Sequence, residues 1–92
     1  MPSYTCPACG YIGLEIRPWS IAGTGSDEIC PSCGIQFGYD DAVGGDENKR
    51  GQFYREWGAK WRADGARWWS SRPMPEGWNG EAQYRRHIGS LT

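Results

Sequence analysis

Four cysteines in two matched pairs constrain this chain more than any other feature of its 92 residues. Cys6 and Cys9 stand in "CPAC", Cys30 and Cys33 stand in "CPSC", and residues 10–29 separate the pairs. The pattern C-x2-C-x20-C-x2-C falls at the upper edge of the spacing that reads as a four-thiolate zinc site. Two intervening residues let both sulfurs of a pair turn toward one point. Two such turns facing each other supply four ligands at tetrahedral directions, about 2.3 Å from the metal. Pro7 and Pro31 follow the first cysteine of each pair and preset the backbone for a turn. Gly10 and Gly34 follow the second, where the turn calls for a positive φ that glycine meets without strain.

Other uses of the thiols fit less well. Disulfides need an oxidising compartment, and "MPSYTCPACG" has neither the basic start nor the apolar run of a secretory leader. The expectation is a cytoplasmic chain with reduced thiols. A single redox-active C-x-x-C leaves the second copy unexplained. With all four positions filled by thiolate, the site has no opening for substrate or water, so it is structural or at most carries electrons. Four-thiolate geometry permits zinc and iron alike; zinc, Zn(2+), is the favoured ion and Fe the alternative.

The need for such a site shows in the rest of the composition. Leucine occurs only at Leu14 and Leu91, whereas there are six Trp, five Tyr and two Phe. Aromatics must fill whatever core exists, each burying on the order of 150–250 Å². Fourteen Gly and six Pro announce many turns, and so short a chain ordinarily requires a staple. The formal charge of −1 hides a division. Residues 1–48 carry one base, Arg17, against seven acids, and residues 49–92 carry nine bases against four acids. Either the halves pack and neutralise each other, which is the favoured reading, or the basic half is an interaction face. No run approaches the ~18 apolar residues of a membrane span.

Along the chain, Tyr4-Thr5, residues 11–16 and residues 34–40 read as short strands. The last alternates Ile35, Phe37 and Tyr39 with Gln36 and Gly38. Residues 40–51 form an acidic linker that lacks the ligand order of a calcium loop; Asp46 or Asn48 caps the helix that follows. That helix is predicted from about Glu47 to Ala63, with Phe53, Trp57 and Trp61 on one face, and Asp64-Gly65 stops it. A last helix is predicted over residues 80–88, capped by Asn79 and ended by Gly89.

The Phe53, Trp57 and Trp61 stripe reads as core laid against Phe37 and Tyr39, because little else can fill the interior. Trp68 and Trp69 are adjacent, so one of them is expected to face solvent beside Arg67 or Arg72. Nucleic-acid binding is the less favoured partner class: the acidic half repels phosphate, leaving Arg50, Arg55, Arg62, Arg67, Arg72, Arg85 and Arg86 to do the work. Catalysis has little support. His87 is the only histidine, and no phosphate loop, dinucleotide fingerprint or hydrolase elbow occurs.

Two resemblances follow from the quoted motifs. "YTCPACGY" and "EICPSCG" resemble the two knuckles of rubredoxins, whose four cysteines hold one iron that shuttles electrons; the loop between pairs is shorter here, and the Trp-rich extension has no counterpart. "CPACGY" and "SDEICPSCGIQFGYDD" resemble the small bacterial cysteine-rich domains named for a CPCC motif, which are zinc-ribbon-like and of uncharacterised function. Some apparent relatives carry a helix and a close similar to "YREWGAKWRADGARWWSSRPMPEGW". The resemblance implies a zinc site on Cys6, Cys9, Cys30 and Cys33, with Ala8 standing where the name-giving motif has a further cysteine. The expected fold is thus one small α+β domain over residues 1–92. A rubredoxin-like zinc ribbon of short antiparallel strands (residues 3–41) would precede an aromatic helix and a short C-terminal helix (residues 47–92). The expected function is a zinc-stabilised, non-catalytic and monomeric module that binds a protein partner.

Overall fold

The computed structural model describes residues 3–90. Two α-helices, α1 (Arg50–Ala63) and α2 (Gly80–Ser90), sit in the second half, and two short 3-10 turns, Val43–Gly45 and Glu47–Lys49, lead into α1. The predicted ribbon of antiparallel strands is not formed. Among the described residues there is no strand and no sheet, only three isolated antiparallel bridges: Tyr4 with Leu14, Trp19 with Gly25 and Ile29 with Gln36.

The reason lies in how much of the first half is turn. Tyr4 and Leu14 exchange two backbone hydrogen bonds of 2.9 and 3.1 Å around the first cysteine pair. The second pair is closed by Cys30 N–H to the Ile35 carbonyl, 2.9 Å. This second pairing continues through Phe37 N–H to the Glu28 carbonyl (3.1 Å) and Asp27 N–H to the Phe37 carbonyl (2.9 Å), and it ends where Gly38 takes a positive φ and turns the chain away. The predicted strand over residues 34–40 shows this directly. Ile35 and Phe37 are fully buried as the alternation requires, but Gly38 turns at φ 95° and leaves Tyr39 74% exposed.

The core is correspondingly small. Leu14, Ile35 and Phe37 pack with the four cysteines, and Trp61, Ala66 and Tyr84 close it from the second half. Phe53 and Trp57 are half-buried against this cluster, with rings 5.8 Å apart. Trp61 lies 6.3 Å from Trp78 and 6.4 Å from Tyr84, tying α1 to α2.

Local chemistry sets both helices. Helix α1 begins at Arg50 rather than Glu47, and its N-cap Lys49 makes no side-chain cap bond; Asp46 caps the preceding Glu47–Lys49 turn instead, accepting from the Asn48 N–H at 3.0 Å. At the far end Gly65 takes φ 110°, and the Ala66 N–H returns to the Trp61 carbonyl at 3.0 Å. Asn79 caps α2 by accepting from the Ala82 N–H, 2.9 Å. That helix runs through Gly89 to Ser90 rather than stopping at Ile88. Gly58 costs roughly 1 kcal/mol relative to Ala in a helix interior, yet a Cβ here would stand 2.1 Å from the Ala8 carbonyl oxygen. Its bare backbone is what lets α1 lie directly on the first cysteine turn.

A buried carboxylate joins the two halves. Asp41 is fully buried and accepts from Trp19 Nε1 (2.8 Å), the Gly38 N–H (2.7 Å) and the Tyr54 hydroxyl of α1. Burial, and then the hydrogen bond to Asp41, hold the Tyr54 phenol well above its ordinary pKa. The Arg50 guanidinium lies 3.5 Å over the Trp19 ring. The two ion pairs found among the described residues, Arg62–Glu81 and Arg85–Glu81, both fall within the basic half. The halves are therefore joined by hydrogen bonds and packing rather than by the mutual ion pairing that their charges suggested.

Candidate metal centre

Each cysteine pair is built by the same backbone turn. Cys6 N–H donates to the Tyr11 carbonyl (2.7 Å) and Gly10 N–H to the Cys6 carbonyl (2.9 Å). In the second turn Cys30 N–H donates to Ile35 (2.9 Å) and Gly34 N–H to Cys30 (2.8 Å). Gly10 and Gly34 sit at φ 87° and 81°, the positive values that the sequence calls for after each pair.

The two turns face each other and bring all four sulfurs together. The Sγ atoms of Cys6, Cys9, Cys30 and Cys33 lie within 4.8 Å of one another. Across the turns, Cys6 and Cys33 are 3.9 Å apart and Cys9 and Cys30 are 3.7 Å apart. A tetrahedron of thiolates at about 2.3 Å from a central ion has edges of about 3.8 Å. A disulfide would need about 2.05 Å, and all four thiols are free. Cys6, Cys9 and Cys30 are wholly buried and Cys33 is 5% exposed. The cluster can therefore hold a metal ion, and its donor set suits zinc and iron equally.

The electrostatics point the same way. Burial raises the Cys6 thiol well above its ordinary value. Burial also opposes ionisation of Cys9, but hydrogen bonds with Cys30, Cys33, Cys6 and Ser32 outweigh it and drive that thiol down. Cys33 is pushed up, first by its hydrogen bond with Cys30. Four buried sulfurs thus cannot share several negative charges among themselves; a divalent cation at their centre is what would let all four ionise.

The second half supplies the surroundings of this cluster. Trp78 Nε1 donates to Gln83 Oε1 (2.8 Å), and Gln83 Nε2 donates to Ser32 Oγ (2.9 Å) and to the Cys9 carbonyl (3.2 Å). The Cys9 thiol donates to the same Ser32 Oγ at 3.4 Å, and a Cys9 thiolate would accept from that hydroxyl instead. His87 Nε2 lies 2.9 Å from the Pro7 carbonyl, and its Cβ covers Gly10, where a side chain would stand 2.4 Å from it. Trp57 Nε1 donates to the Cys33 carbonyl (3.3 Å). Trp69 covers Gly34, and the Trp69 and Ser70 N–H groups bond the Pro31 carbonyl at 3.1 and 2.9 Å. Both cysteine turns are therefore capped by residues from beyond position 56.

Spacing alone identified the four cysteines and their glycines. It missed Ser32, Gln83 and Asp41, and it noted His87 only as the lone histidine, with no contact to the cysteine turns expected. Ser32 carried a signal, since it lies inside the second C-x-x-C; Gln83 sits 51 residues further along with nothing local to mark it.

No protein-family model, curated protein or solved structure matches this chain. The likenesses to CPCC-type domains and to rubredoxin knuckles rest on the motif residues alone.

Proposed function

We propose that this chain is a small interaction module built around a structural zinc ion on Cys6, Cys9, Cys30 and Cys33. The observation that carries the reading is the mutual approach of four buried sulfurs at tetrahedral edge lengths. A closed four-thiolate set leaves no coordination position for substrate, which argues for a structural role rather than hydrolysis. The one histidine is engaged through Nε2 with the Pro7 carbonyl. No helix of the described residues is long and apolar enough to cross a membrane. Thiolate ligation suits a reducing compartment such as the cytoplasm. A protein partner is favoured over nucleic acid, because the cysteine half carries a net −6 and a zinc tetrathiolate adds about −2 to it.

Elemental analysis of the purified protein tests the ion. One zinc per chain and a colourless solution are expected. One iron per chain, with a red colour bleached by a reductant, would replace this reading with a one-electron carrier.

A further inference from the structure

Beside Cys33, on the face of α1 away from Gly58, lies a groove of about 370 Å³ walled by Trp57, Trp61, Trp68 and Trp69. Its size falls at the lower end of ligand sites, enough for one large side chain and its flanks. Three of the four indoles are fixed by internal hydrogen bonds: Trp57 to the Cys33 carbonyl, Trp61 to Arg67 and Trp68 to Arg72. The fourth, Trp69, is 57% exposed, and among the described residues its indole N–H has no acceptor. Two cations, Lys60 and Arg67, stand on the groove. Neither forms an ion pair among the described residues, although Asp64 also lines the groove and lies one turn from Lys60. Preformed aromatic walls, an unused donor and two unpaired cations together ask for an apolar group flanked by negative charge.

We propose that this groove binds a short acidic segment of a partner protein, seating one aromatic or large aliphatic side chain between the indoles. Carboxylates on either side of that side chain pair with Lys60 and Arg67, and the Trp69 N–H donates to the segment's backbone. Rigid tryptophans with arginine at the edge are the composition of interface hot spots. Single-stranded nucleic acid also stacks on aromatics. Here, however, a groove of about 370 Å³ has room for one large side chain and not for a run of stacked bases. The proposal deepens the interaction-module reading and rests on it.

The test uses the metal-loaded full chain and a displayed library of random peptides. Wild-type protein is expected to enrich peptides with one Phe, Trp or Leu flanked by Asp and Glu. The double variant K60E/R67E changes two exposed side chains and leaves the Arg67 carbonyl that holds Trp61. It is expected to bind the same peptides at least about tenfold more weakly and to prefer basic flanks, because like charges now face each other. Enriched peptides that bind wild type and K60E/R67E equally would overturn the groove while leaving the module reading intact. Enrichment of no peptide at all would sink both. An oligo-dT strand that displaces the peptides and itself weakens in K60E/R67E would overturn the peptide as occupant.

Discussion

A strong chelator added to the reduced, metal-loaded protein is expected to erase its near-ultraviolet dichroism and its cooperative melting transition. Structural zinc in small domains contributes on the order of 10–16 kcal/mol of folding free energy at neutral pH. A whole domain is ordinarily stable by only about 5–15 kcal/mol, so losing the ion outweighs everything else the chain can muster. The core makes the point residue by residue. Apart from the cysteines, its wholly buried apolar side chains are Leu14, Ile35 and Phe37. Phe53, Tyr54, Trp57 and Trp78 only lean against it half-buried. Tryptophan dichroism is the right probe because Trp57, Trp69 and, through Gln83, Trp78 are all fastened to the cysteine turns. Signal and melting behaviour that survive removal of the ion would mean that the aromatics hold the fold unaided.

Asp41→Ala is expected to be the most damaging change away from the cysteines, at about 3 kcal/mol, roughly 1 kcal/mol for each donor left without its acceptor. Those donors come from three separate stretches: Trp19 in the loop between the cysteine pairs, Gly38 after the second pair, and Tyr54 on α1. Tyr54→Phe removes a single one of these bonds and should cost about 1 kcal/mol. Denaturant melts of the metal-loaded variants measure both. A loss below that of Tyr54→Phe would show that water readily replaces the carboxylate and that Asp41 does not hold the halves together.

What could be read in the sequence was whatever is decided within a few residues. The two C-x-x-C turns, the positive φ of Gly10 and Gly34, the Asn79 cap and the stop at Gly65 all follow from local rules, whereas α1 begins only at Arg50, after the short turn that Asp46 caps. The strands were lost because a period of two says which side chains are buried but not how far a partner segment runs alongside. Ile35 and Phe37 are buried, yet the chain has turned by Gly38 before a ladder can form. Asp41 was placed with its neighbours in an acidic linker, since nothing next to it announces three donors arriving from positions 19, 38 and 54. Trp68 and Trp69 illustrate the boundary: adjacency required them to diverge, and they do. Only the folded chain shows that Trp69 is the one turned outward, over Gly34.

X-ray absorption at the metal edge of the protein as purified tests the central claim most directly. The expected result is four sulfur scatterers at about 2.3 Å and no nitrogen or oxygen neighbour. Fewer than four sulfurs, a nitrogen or oxygen ligand, or no bound metal at all would contradict it.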